Sequence, residues 1–309
     1  MKKYTKLIDL KDIQEPIVLA VGFFDGVHLG HKNVIEQALE LAKKHKAQTF
    51  VLTFKKHPLS IIAPEIAPPM LNTNKYKLQL LNQLGVSGCV EIDFTPETSK
   101  LPAEKFIEKL KTVSPPLVGI VCGKNWRFGH KGLGTPQMLE ECNLWDIMNI
   151  DHTLYKGQPI SSTRIRKAVI EGNLEEASEM LGRPFSMLEK VVIGKKLGRK
   201  LGFPTANFKI HDGALPPYGI YAVRAMYENK LYNGVMNVGF RPTLEDNNPP
   251  NLELNIFDFN QDIYGKNFEI FFIQKIRDEE KFNNLEQLKA QIAKDIEVAK
   301  KILMNELRS

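Results

Sequence analysis

Three stretches in the first half of the chain gather residue types suited to handling phosphate. The first, Gly22-Phe23-Phe24-Asp25-Gly26-Val27-His28-Leu29-Gly30-His31, follows an apolar run and opens a helical pattern. Glycines at 26 and 30 let the backbone turn tightly and approach a ligand closely. A helix N-terminus offers free N–H groups and a positive dipole end, a natural phosphate seat. His28 and His31 add donors that become cationic beside a polyphosphate. The same pair, at i and i+3, could instead bind a metal or simply cap the helix. The second stretch is Ile160-Ser161-Ser162-Thr163-Arg164-Ile165-Arg166, whose hydroxyls can cap a following helix or join the arginines in holding phosphates. The third, Gly123-Lys124-Asn125-Trp126-Arg127-Phe128-Gly129-His130, places a polar group and aromatics just past an apolar strand, which suits a nucleotide or ring. A glycine-rich surface loop would look the same.

The second half carries a different set. Gly194, Gly198 and Gly202 recur at steps of four and run into Phe203-Pro204-Thr205-Ala206-Asn207. No Gly-Lys-Ser/Thr follows, so this is not a Walker A loop. Glycine-rich backbone can still wrap an anion, and Thr205 and Asn207 supply hard oxygens suited to Mg²⁺. Glu253 stands in the β-type run Leu252-Glu253-Leu254-Asn255. Alternation puts it on one face with Asn255, opposite Leu252 and Leu254. In a cleft such an acid could serve as general base for a hydroxyl; on a solvent face it would do nothing.

The elements that must position these residues fall into two kinds. In the first half, apolar runs at 17–22, 49–54, 89–94 and 117–123 alternate with helical patterns at 33–44, 76–84 and 103–110. That alternation implies βαβ units and a parallel sheet, with ligands beyond the carboxyl ends of the strands. From about residue 188, β-type runs at 190–193, 218–226, 235–238, 252–259 and 268–276 are separated by Gly, Pro and Asn/Asp clusters, the signature of an antiparallel barrel or sandwich. From Asn284 a helix follows, with Leu285, Leu288, Ile292, Ile296, Ala299 and Ile302 as its apolar stripe. A boundary near Gly182-Arg183-Pro184 gives domains of 1–184 and 185–309.

Composition bounds the class. Of 309 residues, 43% are hydrophobic and 25% charged, which excludes a disordered chain. No apolar run nears the roughly 20 residues of a membrane helix, and the opening MKKYTKLIDL has no apolar segment behind its lysines, so no signal peptide is expected. Three cysteines, at 89, 122 and 142, without a CxxC, suggest neither a disulfide framework nor a zinc site, and fit a reducing cytoplasm. The net charge of +6 suits phosphorylated substrates. The basic residues are scattered and carry no recognised nucleic-acid pattern. Neither nucleic acid nor membrane is expected as a partner, and the oligomeric state stays open.

The three first-half motifs, in this order, resemble the HxGH nucleotidyltransferase superfamily, with its GxFDxxHxGH and ISSTxxR signatures. The run GxxxGRxLGFPTAN at 194–207, Gly-Ile-Tyr at 219–221, Arg-Pro-Thr at 241–243, Glu253 and Tyr264-Gly265 resemble the riboflavin kinases. In tandem, the two halves are similar to the bacterial bifunctional FAD synthetases over nearly the whole chain. The resemblance implies a Rossmann-like domain followed by a six-stranded antiparallel barrel with a C-terminal helix. It implies ATP-dependent phosphorylation of riboflavin to FMN, then adenylylation of FMN to FAD with release of pyrophosphate. The alternative keeps the architecture with one module strongly active, the adenylyltransferase foremost. By the same resemblance His28 and His31 would stabilise the transferring phosphate. Gly22, Phe24, Asp25, Gly30, Asn125, Arg127, Ser162, Thr163 and Arg166 would hold nucleotide or phosphate. Gly194, Gly198, Gly202 and Pro204 would cover ATP, with Mg²⁺ on Thr205 and Asn207. Glu253 would take the riboflavin 5′-hydroxyl proton, and Arg277 would lie at the flavin. The chain departs from the family pattern at Lys55-Lys56, where a glutamate and a proline are usual, and at Asn125, where an aspartate is common.

Overall fold

The computed structural model describes residues 1–113, 116–194, 198, 201–208, 213–239 and 251–305. The chain forms two compact units, residues 1–70 with 74–162, and residues 71–73 with 163–309.

The first unit is built on a six-stranded, all-parallel sheet. Its strands are β1 (Lys2–Tyr4), β2 (Ile17–Val21), β3 (Gln48–Phe54), β4 (Gly88–Ile92), β5 (Leu117–Gly123) and β6 (Asp146–Ile150). They lie in the order β1-β4-β3-β2-β5-β6. Every residue of β2 is buried, as expected of a parallel strand covered on both faces. The helix α1 (Leu29–Lys44) covers one face with Val34, Ile35, Ala38, Leu41 and Ala42. Leu7, Leu10, Ile107, Leu110 and Trp145 pack into the core with Leu19, Phe50 and Ile120. Successive strands run outward from β2 to β3 and β4, then cross back to β5 and β6. The reversal between β2 and β5 opens a crevice at their carboxyl ends, where such sheets bind ligands. The expected strands are all present. Two edge strands, β1 and β6, were not foreseen: β1 has only three residues, and β6 is half-buried with polar Asp146 and Asn149.

The second unit holds a closed antiparallel barrel. After a small hairpin of the first unit, β7 (Leu154–Tyr155) with β8 (Gln158–Pro159), its strands are β9 (Ser186–Val192), β10 (Ala206–Phe208), β11 (Gly219–Tyr227), β12 (Lys230–Gly239), β13 (Asn251–Ile256) and β14 (Asn267–Arg277). They close in the order β10-β13-β12-β11-β14-β9. β12 is longer than its apolar centre because Glu228 and Asn229, both at positive φ, form a two-residue hairpin turn with β11. Without a glycine, that turn gives little sequence signal. β10 is a further surprise, since Ala206-Asn207-Phe208 reads as the end of a loop. Two helices, Ser162–Ile170 and Leu174–Leu181, precede the barrel.

The C-terminal helix Leu285–Asn305 packs through its second half. Ala299 and Leu303, with Ile296 and Ile302, lie on Ile220, Ala222 and Val235. Leu285, the first residue of the expected stripe, is 66% exposed. The first half of the helix is fastened by a polar latch instead: Arg277 donates from Nε and Nη2 to Asp295 at 2.8 and 2.7 Å, and Gln291 Nε2 donates to the same carboxylate at 2.9 Å. Among the described residues, no helix is long and apolar enough to cross a membrane.

Candidate active sites

In the first unit, the loop from β2 to α1 shapes the crevice. Phe24 (φ 59°), Gly26 (φ 82°) and Val27 (φ 42°) all take left-handed backbone. For two non-glycine residues that conformation is costly and persists only where the surroundings enforce it. Here the side chains of Phe24 and Val27 are both 1% exposed and hold it. Gly22 lies under the Phe24 ring, where a Cβ would stand 3.0 Å from it.

The loop delivers His28 as the N-cap of α1. Its Nδ1 accepts the His31 backbone N–H at 3.2 Å, so the proton of the neutral ring sits on Nε2. The two imidazoles stack, with centroids 3.5 Å apart and planes 15° from parallel. Gly30 allows this, since a Cβ there would meet the His28 ring at 3.2 Å. His31 Nδ1 is buried with no hydrogen-bond partner among the described residues. Burial, then the charges of His28 and Lys77, hold the His31 pKa well below the usual histidine value.

A cleft of about 300 Å³ opens over this pair. Gly22, Phe24, His28, Gly30, His31, Asn125 and Ser162 of the expected residues line it. Asp25 is fully buried behind the lining, and its carbonyl accepts a hydrogen bond from Ser162 Oγ at 2.9 Å. Thr163 and Arg166 follow Ser162 on the Ser162–Ile170 helix, with Arg166 buried. Arg127 is not brought to the cleft: its Nη1 donates to the Trp126 carbonyl at 2.8 Å, and the side chain is exposed. Lys55, one of the unusual lysines, pairs with Asp93 at 2.8 Å.

The cleft also contains residues that sequence reasoning missed. His152 Nε2 accepts from the Asn125 amide at 2.8 Å, and Thr153 Oγ1 is buried without a partner among the described residues. Both follow β6, the strand that was not foreseen, and its position at a carboxyl end was the only available signal.

The second unit presents a row of polar side chains across three strands. In register, Asn207 of β10 stands opposite Glu253 of β13, and Glu253 opposite Asn237 of β12. Directly opposed residues share a face. Leu252 and Leu254 are fully buried on the other, interior face, while Glu253 is half-buried on the outer one. The expected alternation holds, and the acid faces out of the barrel, not into it. Asn251 Nδ2 donates to Glu253 Oε1 at 2.6 Å.

The glycines and the oxygens meet here. A Cβ on Gly194 would overlap the Asn207 amide, and one on Gly198 would collide with the Phe203 carbonyl and the Thr205 side chain. The Phe203 N–H closes the turn onto the Gly198 carbonyl at 2.8 Å, and Asn255 Nδ2 donates to the Pro204 carbonyl at 2.8 Å. Gly202 sits at φ +88° with open space around it. Arg199 and Arg241-Pro242-Thr243 lie outside the described residues. Arg277, expected at the flavin, gives its Nε and Nη2 to Asp295 and its Nη1 to the Asp278 carbonyl.

Comparison with known proteins finds a match for each half of the chain. Residues 10–164 match the family model described as FAD synthetase, and residues 181–303 the one described as riboflavin kinase. A bifunctional riboflavin kinase/FMN adenylyltransferase of Buchnera aphidicola is 35% identical over 97% of this chain and 98% of its own. The Bacillus subtilis protein of that name is 34% identical over 96% and 95%, and the Escherichia coli K12 one 35% over 91% of each. A solved structure from Streptococcus pneumoniae, titled a macrolide-efflux protein, superposes with a TM-score of 0.84 at 30% identity over 97% of this chain and 99% of that one. The chain therefore belongs to the bifunctional riboflavin kinase/FMN adenylyltransferase family.

Proposed function

We propose that the chain uses ATP twice, to phosphorylate riboflavin to FMN and then to adenylylate FMN to FAD, releasing pyrophosphate. The carrying observation is that two separate stretches, 10–164 and 181–303, match the family models described as FAD synthetase and riboflavin kinase. We assign adenylyl transfer to residues 1–184 and phosphorylation to residues 185–309.

In adenylyl transfer a phosphate oxygen of FMN attacks the α-phosphorus of ATP. The bond from that phosphorus to the bridging oxygen breaks, and pyrophosphate leaves. No proton has to move, so catalysis is positioning and charge stabilisation. Gly22, Phe24, Gly30, Asn125 and Ser162 shape the cleft, with Asp25 buried behind them. His28 and His31 carry the stabilising role. An arriving polyphosphate supplies the negative charge that favours protonation of a histidine otherwise kept neutral.

In the kinase reaction the riboflavin 5′-oxygen attacks the γ-phosphorus of ATP. Its proton passes to the Glu253 carboxylate, which Asn251 orients, and ADP leaves. Gly194, Gly198, Gly202 and Pro204 form the cover over ATP. Thr205 and Asn207 offer a hydroxyl and an amide oxygen packed against those glycines, a donor set suited to Mg²⁺ shared with substrate phosphates. Bound there, the ion would neutralise phosphate charge. Arg277, held in place by Asp295, is assigned to the flavin end of the site. We place the enzyme in the cytoplasm, in keeping with three unpaired cysteines.

The test is chromatography of purified protein incubated with ATP and Mg²⁺, given riboflavin or FMN in separate reactions. FMN and FAD should form from riboflavin, and FAD from FMN. Absence of both products would sink the reading.

A further inference from the structure

Two charged side chains of the described residues have no exposed surface at all, Asp25 and Lys77. Lys77 stands on the helix Asn74–Gln83 of the first unit. Its Nζ donates to the Phe54 carbonyl at 2.6 Å, to Thr53 Oγ1 at 3.2 Å and to the Phe23 carbonyl at 3.4 Å. Thr53 Oγ1 itself donates to the Phe23 carbonyl at 2.9 Å. The ammonium also lies 4.9 Å from the centroid of the Phe23 ring, a cation–π distance. One buried cation thus joins the carboxyl end of β3 to the first residues of the loop that carries His28 and His31. Phe23 lines the cleft, and its ring meets His57 edge-on at 5.0 Å.

We infer that Lys77 is a positioning residue for adenylyl transfer. Its ammonium fixes the Phe23 carbonyl, and so the start of the strained loop, at the height from which the histidine pair reaches the reacting phosphates. This inference rests on the assignment of the cleft to adenylyl transfer.

The cost of the arrangement supports a functional reading. Burial pulls the Lys77 pKa down to about 8, against the opposing pull of Cys89, Glu91 and Asp25. The protein therefore holds this charge at neutral pH at the expense of folding, a pattern concentrated at functional sites. The same charge adds to the forces that keep His31 unprotonated. A merely structural lysine would be replaced by an apolar side chain of similar length without loss of activity.

The variant Lys77→Met in the full chain tests this, with riboflavin phosphorylation in the same molecule as internal control. We expect the kcat for FMN to FAD to fall at least tenfold and the KM for ATP to change less than threefold. Riboflavin phosphorylation should be unchanged and the thermal midpoint not lowered. In histidine-resolved NMR, the His31 titration should move upward. Lys77→Arg should recover part of the kcat. A kcat within twofold of the parent would overturn the inference. So would a parallel loss of both activities. If Lys77→Met does not fold, Thr53→Val, which removes the hydroxyl shared by Lys77 and the Phe23 carbonyl, decides the matter. A three- to tenfold fall in adenylyl transfer alone supports the inference, and no fall overturns it.

Discussion

His31 shows what a single residue contributes to both stability and chemistry. In the native protein its imidazole stays neutral because burial first, and then the electrostatic influence of His28 and Lys77, oppose protonation. In the unfolded chain it protonates near pH 6.5. Below that pH the unfolded state takes up a proton that the native state refuses, so stability falls as the solution is acidified. The slope from this one group is at most about 1.4 kcal/mol per pH unit. Urea midpoints at pH 7 and pH 5 measure it. We expect the parent to lose more stability across that interval than His31→Gln, which cannot titrate. An equal loss would mean that His31 is not the group responsible. Phe24 and Val27 add a related cost, since left-handed backbone at two non-glycine residues stores on the order of 1–3 kcal/mol each. The apolar burial of their side chains opposes it and holds the loop in this conformation.

At the scale of elements, the C-terminal helix is held by two different devices, an apolar half and the Arg277–Asp295–Gln291 latch. Asp295 is 3% exposed, so removing its partner strands a buried charge. Arg277→Met should destabilise the barrel unit by about 3 kcal/mol, read as a drop in urea midpoint. Asp295→Leu added to it should restore much of that loss, because two apolar side chains replace a buried ion pair at little net cost. If the double variant is no more stable than the single one, the latch is not a simple pair. Elements with strong periodicity were legible from sequence: β2, β3, β5, α1 and the long barrel strands. β6 and β10 were not. Half-buried β6 lacks an apolar run, and three-residue β10 hides inside a glycine loop whose chemistry dominates its pattern. The loop around His28 was legible because its glycines and histidines are bound to one local geometry. The partnership of Asn207 with Glu253 was not, since it depends on strand register between residues 46 apart. The acid's outward face was an open alternative until burial of Leu252 and Leu254 settled it.

At the scale of the molecule, separate stretches of chain, 10–164 and 181–303, match the two activities, and this makes each the control for the other. Glu253→Ala should abolish FMN formation from riboflavin while FMN is still converted to FAD. His31→Ala should do the reverse. Chromatography of flavins from the two parallel reactions reads both. Loss of both activities from either change would refute independent sites. The net charge of +6 finds its use here, since both reactions take ATP and one also takes the FMN phosphate.

The strand arrangement also bears on how the protein behaves when concentrated. A closed barrel leaves no open backbone ladder, whereas the parallel sheet ends on β1 and β6. β1 covers the flank of β4 with three residues, two of them the exposed lysines Lys2 and Lys3. Exposed lysines on an edge strand are of the kind that disfavours pairing of that edge with another chain. A change at Lys2 or Lys3 is thus expected to alter self-association before it alters catalysis, since neither residue lines the cleft.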